Sequence, residues 1–379
     1  MSVYLDHNAS APVRPEAVEA VMRALRVSAN PSSVHGAGRA ARALVERSRA
    51  AIARSICAQA EDLIFTSGGT EANNLAIHAA KALGAERIVI SAIEHDAVRA
   101  AAIASGLPVE IWPVTSEGRA DLDWLSADLA KNPGKTLYAL MAANNETGVI
   151  QPFAEAGALI AEAGHLLHID AVQMTGKAPF DFAGSLATFA ALSAHKAGGP
   201  QGVGALAVAC DAQVGALITG GGQEKGRRGG TENVIGIAGF AAAIDAAPSD
   251  PDEAARIAAI RDRAEAMITA NAPDATVWGA GVDRLPGTLC LSAPGWGSEI
   301  QVIAMDLAGF AVSAGSACSS GKVRKSAVLE AMGARAEDAA SALRVSFGWT
   351  NTNDEAEAFA NAWLNDYARV RPRAAAVNA

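Results

Sequence analysis

Apolar residues between positions 62 and 208 gather into short runs at 63–66, 87–91, 136–141, 166–170, 187–192 and 203–208. Between several of them lie alanine-rich stretches of helical length, 71–83, 94–105 and 153–164, none with an internal proline. Runs this short and this continuously apolar suit strands covered on both faces, and helical crossovers make neighbouring strands parallel. The pattern predicts an α/β fold built on a mostly parallel sheet wrapped by helices. Ligands of such sheets collect beyond the carboxyl ends of the strands, so the polar residues that follow each run are the first candidates for chemistry.

After residue 246 the texture changes. The stretch Ala247-Pro248-Ser249-Asp250-Pro251-Asp252-Glu253 places two prolines and a helix-start signal ahead of a long helical segment, 253–272. A boundary there divides the chain into a large domain, 14–250, and a smaller α+β domain made of 1–13 and 251–379. The second part offers a strand at 288–292, a helix at 299–308 and a C-terminal helix opened by Asn353 and Asp354. A chain of 379 residues exceeds what one hydrophobic core usually organises, which also favours two domains. The Gly- and Ala-rich stretch 234–247 carries Asp245 and is too short to span a bilayer, so it reads as a buried helix and no membrane is expected as a partner.

The formal charge of -9 comes from charges scattered along the chain, with no basic stripe to neutralise a phosphate backbone, so direct nucleic-acid binding is not expected. Residues 1–16 include Asp6 and Arg14 and lack the apolar stretch of a secretory signal. The four cysteines, Cys57, Cys210, Cys290 and Cys318, are widely separated and form no CxxC pair, which is neither a disulfide framework nor a zinc site. A reducing, cytoplasmic setting and no bound metal are the expectations.

Three strand ends carry candidate chemistry. Phe65-Thr66-Ser67-Gly68-Gly69-Thr70-Glu71 joins a predicted strand to a predicted helix, where free backbone N–H groups can cradle a phosphate. The same text also reads as an ordinary turn with Thr70 as N-cap. The run 166–169 ends in Asp170, with Gln173 a turn further on. A carboxylate there can keep a ring nitrogen protonated, or it can simply cap a helix. Finally, Ser193-Ala194-His195-Lys196-Ala197-Gly198-Gly199 sets a lysine among small residues after a buried run. Most lysines are solvated surface charges, but one desolvated at a strand end can lose its proton and form a Schiff base with an aldehyde. In this order, the three elements together specify pyridoxal phosphate far better than any one of them alone.

With these motifs, the chain resembles the class V aminotransferase superfamily, and within it the NifS/IscS-type cysteine desulfurases. The resemblance runs from Tyr4-Leu5-Asp6 through Asn30-Pro31-Ser32-Ser33-Val34-His35, Glu94-His95 and Asn144-Asn145-Glu146-Thr147-Gly148. It continues in His168-Ile169-Asp170-Ala171-Val172-Gln173, Ser193-Ala194-His195-Lys196, Arg228-Gly229-Gly230-Thr231-Glu232-Asn233, Gly315-Ser316-Ala317-Cys318-Ser319-Ser320 and Leu343-Arg344-Val345-Ser346. It implies fold-type I of the pyridoxal-phosphate enzymes, with a seven-stranded, mostly parallel sheet and a homodimeric assembly.

By position, the resemblance implies that Lys196 holds the cofactor and later moves the substrate Cα proton. Gly69, Thr70, Ser193 and His195 would bind the phosphate, joined by Thr231 of the partner subunit. Asp170 would pair with the pyridine nitrogen, Gln173 with the ring hydroxyl, and His95 would stack on the ring and assist catalysis. Asn145 would serve both cofactor and substrate, and Arg344 would grip the substrate carboxylate with its planar fork. Arg344 also admits a plain surface ion pair, and His95 a plain helix start.

Cys318 separates cysteine desulfuration from simple transamination. Its neighbours, from Ser313 to Gly321, are nearly all small, which reads as a mobile loop. An unperturbed thiol is only slightly ionised at neutral pH, so Lys322, Arg324 and Lys325 nearby are read either as activating it or as merely solubilising the loop. The implied reaction converts L-cysteine to L-alanine and leaves a persulfide on Cys318 for an acceptor such as an iron-sulfur scaffold protein. The other cysteines are expected to be buried structural thiols. Departures from the common family pattern fall at His7, at Ala197-Gly198-Gly199 and at Trp349-Thr350-Asn351. A selenocysteine or cystine lyase of the same fold, or an inactive sulfur-delivery scaffold, are the alternatives.

Overall fold

The computed structural model describes residues 2–27, 29–209, 212–247, 252–315 and 325–377, with side chains described to residue 371. Seven strands lie side by side in the order Leu63–Thr66, Gly204–Val208, Phe189–Ser193, Leu166–Asp170, Thr136–Met141, Arg87–Ser91 and Val109–Trp112. All neighbours are parallel except where Gly204–Val208 pairs, antiparallel on both sides. The mostly parallel α/β sheet expected from the apolar runs is therefore present, with the seven strands that the resemblance implies, and four of the six runs match their strands residue for residue.

Alternation along these strands decides destination rather than polarity. Leu63, Phe65, Leu140, Ile169, Leu192 and Ala205 enter one core, while Ile64, Ala139, Ala191 and Leu206 enter another on the opposite face. Both faces are sealed, so every residue of the central strands is buried and no two-residue polar rhythm remains in the sequence. Helix Gly69–Ala82 covers one face through Ala72, Leu75, Ala76 and Ala79. Helices Gly36–Ser55 and Val234–Ala246 cover the other through Val45, Ile52, Ile237 and Phe240.

The apolar pattern gives no signal for the edge strand Val109–Trp112 or for helices Pro15–Ala24, Gly36–Ser55 and Leu122–Lys131. Each mixes polar and apolar residues: Gly36–Ser55 alone carries Arg39, Arg42, Arg47, Arg49 and Arg54 on an otherwise alanine-rich frame. Their existence depends on packing against the sheet.

A second sheet of four strands, in the order Ser313–Ala314, Ala342–Ser346, Thr288–Ser292 and Thr276–Val277, is antiparallel throughout. Its core gathers Ile257, Ile260, Leu289, Leu291, Leu343, Val345, Phe359 and Trp363 from the strands and from helices Glu253–Asn271 and Asn353–Val377. The N-terminal strand Val3–Tyr4 pairs with Phe310–Ala311, and Asp6 bridges to Ser346. Residues 2–8 thus run from this second core to the carboxyl ends of the large sheet, which brings Asp6 and Asn8 into the site below. Among the described residues, no helix is long and apolar enough to cross a membrane, and no group of His, Cys, Asp and Glu could hold a metal ion.

Candidate active site

The turn after Leu63–Thr66 is built for close backbone approach. Gly68 has φ +155°, and a Cβ on Gly69 would lie 2.6 Å from Val172 Cγ2. The helix opens at Gly69 with Gly68 as N-cap and no side chain capping it, so the reading of Thr70 as N-cap is corrected: Thr70 is already inside the first turn and exposed. The first-turn N–H groups face a cavity of 380 Å³ whose lining includes Ser10, Gly69, Thr70, Ser193 and His195. The one carboxylate on its rim, Glu71, is bound by Arg228 Nε at 2.9 Å and Ser67 N at 2.8 Å, which leaves the cavity a net donor surface. Helix dipole, backbone N–H groups and hydroxyls are the donor set that an anion would take.

Asp170 ends the strand Leu166–Asp170, almost wholly buried. Its Oδ1 accepts from Val172 N at 3.0 Å and its Oδ2 from Asn73 Nδ2 at 2.8 Å, while Asn73 Oδ1 meets His168 Nε2 at 2.8 Å. No helix begins at Asp170, so its carboxylate is not a helix cap but is held on the carboxyl edge of the sheet by the Asn73 amide. Burial lowers the His168 pKa to about 4, keeping that ring neutral at physiological pH.

His95 caps the helix Asp96–Ala104, with Nδ1 accepting from Ala97 N at 3.1 Å. The ring remains half-buried, so the cap fixes its orientation without hiding it. Beside it, Glu94 is buried, with Oε1 accepting from Ser91 Oγ at 2.7 Å and Met141 N at 2.6 Å. Burial, with a smaller contribution from Asp170, raises its pKa to about 8.

Lys196 closes the turn Ala194–Lys196 after strand Phe189–Ser193. Its Nζ donates to Asn8 O at 2.7 Å and Ala9 O at 2.8 Å. Gln173 Nε2 donates to the same Asn8 O at 2.9 Å, and Lys177 Nζ donates to Gln173 Oε1 at 2.7 Å and Asn8 Oδ1 at 2.8 Å. His195 Nδ1 meets Ser10 Oγ at 3.2 Å, and burial, followed by the Lys196 and Lys177 charges, lowers its pKa to about 4.

Arg344 is 1% exposed on strand Ala342–Ser346, which rules out the surface ion pair. Its Nη2 donates to Asp6 Oδ1 at 2.8 Å and its Nη1 to Asn145 O at 3.1 Å, while Nε is buried without a partner. Asn8 Nδ2 reaches the same Asn145 O at 3.3 Å, so the Arg344 and Lys196 networks are one. Glu146, also buried, accepts from Ser326 Oγ at 2.6 Å, and burial raises its pKa to about 7.

The structure thus joins Lys196, Gln173, Asn145 and Arg344 through Asn8, and brings Gly69, Thr70, Ser193 and His195 to one cavity. Thr231 is exposed in the loop before helix Val234–Ala246, and three residues earlier Arg228 is paired with Glu71 on the cavity rim. Cys318, Lys322, Arg324 and Cys210 lie outside the described residues. The expectation that the remaining cysteines are buried holds for Cys290 and fails for Cys57, which is exposed because it ends helix Gly36–Ser55 in a left-handed conformation, φ 54°. Asp6, Asn8, Asn73 and Lys177 carry the network without having been singled out from sequence. Tyr4-Leu5-Asp6 lay among the family-like motifs, but an isolated Asn or Lys gives no signal of a partner far along the chain.

Residues 3–359 match the aminotransferase class-V family. A cysteine desulfurase of Cereibacter sphaeroides is 41% identical over 357 residues, which cover 92% of this chain and 91% of the relative. A cysteine desulfurase IscS of Dictyoglomus turgidum is 37% identical, covering 93% and 91%. Among solved structures, a NifS-like protein from Rickettsia africae ESF-5 is 35% identical, with a TM-score of 0.89 over 97% of this chain and all of that one. A family match spanning the whole seven-stranded sheet and the network centred on Asn8, with relatives of this identity over this length, establishes that the chain belongs to the class-V aminotransferase family.

Proposed function

We propose that this protein is a pyridoxal-phosphate-dependent cysteine desulfurase that converts L-cysteine to L-alanine and takes the sulfur onto Cys318. The observation that carries the reading is the convergence of an anion cradle, a strand-end carboxylate and a strand-end lysine at one edge of the sheet, with a buried arginine joined to the lysine through Asn8. The donor set fits the cofactor: N–H groups and hydroxyls for a phosphate at Gly69, Thr70, Ser193 and His195, Asp170 for a ring nitrogen, and Lys196 for an aldehyde. The names of the relatives support the substrate.

Bound there, the cofactor supplies an electron sink that makes the substrate Cα–H bond acidic. The chain's own residues do the rest. Asp170, fixed by Asn73 and Val172 N, would be the partner of the ring nitrogen. Arg344 and Asn145 orient the carboxylate, and Lys196, released from Asn8 O and Ala9 O, takes the Cα proton and later returns one to the carbon. The Cys318 thiolate attacks the substrate sulfur: the S–S bond forms as the C–S bond breaks, the carbon keeps that electron pair, and protonation gives alanine. On either side of the segment that carries Cys318, Ser313 pairs with Arg344 and Ser326 bonds Glu146, so both flanks stand next to the carboxylate clamp.

In the same reading the protein works as a homodimer in the cytoplasm, with Thr231 completing the phosphate site of the partner subunit and an iron-sulfur scaffold or similar protein taking the sulfur. Residues 14–250 form the large domain, and 1–13 with 251–379 the small one.

The test is incubation of the purified, cofactor-loaded protein with L-cysteine. Equimolar alanine and protein-bound persulfide are expected, and Cys318→Ala is expected to abolish persulfide and sulfide. Continued turnover by Cys318→Ala, as a simple lyase would show, refutes the assignment.

A further inference from the structure

Lys177 belongs to no motif singled out above, yet it stands at the centre of the site. Its Nζ lies 2.7 Å from Gln173 Oε1 and 2.8 Å from Asn8 Oδ1, and both of those side chains are buried. We infer that Lys177 is a positioning residue that fixes which end of the Gln173 amide is offered to the cofactor and, through Asn8, holds the backbone carbonyl on which Lys196 rests. The inference builds on the proposed cofactor and adds to it a residue acting through Gln173.

The physical basis is the one-sidedness of lysine as a partner. An amide has an accepting and a donating end and can be built either way round, but an amine on a lysine only donates here, so both amide oxygens must face it. Gln173 Nε2 is thereby turned away from Lys177, where it donates to Asn8 O at 2.9 Å. Asn8 Nδ2 is turned toward Thr288 Oγ1 at 2.9 Å and Asn145 O at 3.3 Å. With both amides fixed, Asn8 O accepts Gln173 Nε2 and Lys196 Nζ together. A Gln173 free to flip would present an oxygen instead of an N–H to an anionic ring oxygen, exchanging an attractive contact for a repulsive one.

The charged and titratable groups around Lys177 are Lys196, Arg344 and Asp6, with His7 and His195 also within its field. Burial, then Lys196 and Arg344, pull its pKa well below the ordinary lysine value, against Asp6. Either form can donate to both oxygens, but the ammonium, which has no lone pair, is the form that excludes the flipped amides. The backbone reinforces the placement. Gly176 has φ +70°, and a Cβ there would lie 2.7 Å from Ala197 Cβ, so the turn bearing Lys177 packs directly on the turn bearing Lys196.

The test compares wild type, Lys177→Met, Gln173→Ala and the double variant as pyridoxal-phosphate-loaded proteins. Three quantities are read: cofactor dissociation constant, the pH midpoint of the cofactor's visible absorbance, and melting temperature. Lys177→Met is expected to weaken cofactor retention about tenfold, the scale of one lost hydrogen bond, and to shift the absorbance midpoint. The double variant is expected to match Gln173→Ala alone in both, because Lys177 acts through Gln173. An unchanged midpoint and affinity in Lys177→Met, or effects that add in the double variant, overturn the inference. If Lys177→Met does not fold, Lys177→Ala, smaller and likewise without a donor, is read by the same criteria. A wild-type protein that takes up no cofactor refutes the functional reading itself, an outcome distinct from an insensitive variant.

Discussion

Arg344 Nη2 donates to Asp6 Oδ1 at 2.8 Å, joining strand Ala342–Ser346 to the N-terminal segment across most of the sequence. Asp6 Oδ2 also accepts from Ser313 Oγ at 2.8 Å, so this one carboxylate aims the guanidinium and secures the strand next to it. The pair leaves the buried Arg344 Nε without a hydrogen-bond partner among the described residues. Asp6→Asn is expected to raise KM for L-cysteine with little change in kcat, because the loss is one of aim. Arg344→Lys is expected to lower kcat/KM at least thirtyfold, matching a loss of about 2 kcal/mol for a truncated buried charge pair. Steady-state kinetics of the two variants check this, and a wild-type KM in both would remove Arg344 from the substrate clamp.

The Gly69 turn gives a steric test. A methyl group there would sit 2.6 Å from Val172 Cγ2 and 3.6 Å from Ser193 Cβ, between the helix start and the strand end that share the cavity. Gly69→Ala is expected to cost about 1–3 kcal/mol through overpacking and to widen the cradle at the expense of phosphate. Urea denaturation reads the first effect. Inorganic phosphate, as a competitor of cofactor uptake, reads the second, and undiminished competition would show that the cradle lies elsewhere.

Glu94 gives a pH test with a defined sign. Its pKa is raised to about 8 from an ordinary 4.5, first by burial and then by Asp170, and its buried Oε2 has no partner. Between those two values the folded state holds a proton that the unfolded state has released, so ionisation costs stability as pH rises. Glu94→Gln removes that cost, so its stability relative to wild type is expected to grow from pH 4.5 toward pH 8 and then level off. The paired comparison cancels the opposite contributions of His168 and His195, whose lowered pKa values make stability rise with pH below the ordinary histidine range. Chemical denaturation at several pH values reads the difference, and a pH-independent gap would mean that Glu94 is ionised throughout.

Cys57 gives a test in the stabilising direction. It sits just past the C-cap Ile56, with Ala58 N donating to Ala53 O at 2.9 Å and Cys57 N to Arg54 O at 3.2 Å, the paired bonds of a Schellman ending. That position is left-handed, φ 54°, where a side chain is strained and glycine is not. Cys57→Gly is expected to stabilise the protein by about 1 kcal/mol, seen as a higher Tm. A lower Tm would mean that the exposed cysteine makes contacts worth more than the strain.

Much of the site was legible because strand ends announce themselves. Asp170 closes one largely apolar run, Lys196 stands three residues past another and Gly69 follows a third, so an α/β reading alone points to them. Asn8 and Lys177 were not legible. A lone amide and a lone amine have no periodicity, and their partners stand 165 and 169 positions away along the chain in Gln173 Nε2 and across to Asn8 Oδ1.

The sequence by itself determined six of the seven strands of the sheet, three of the crossover helices and the three strand-end groups, because buried strands and crossovers write their apolar content into consecutive residues. Tertiary structure alone decided that residues 2–8 cross from the second core to the large sheet, that Asn8 O is shared by Gln173 and Lys196, and that Arg344 is paired with Asp6. The physical reason is that these bonds join elements whose meeting is fixed by how the two cores pack, and a polar contact between distant segments leaves no trace in the local pattern of either.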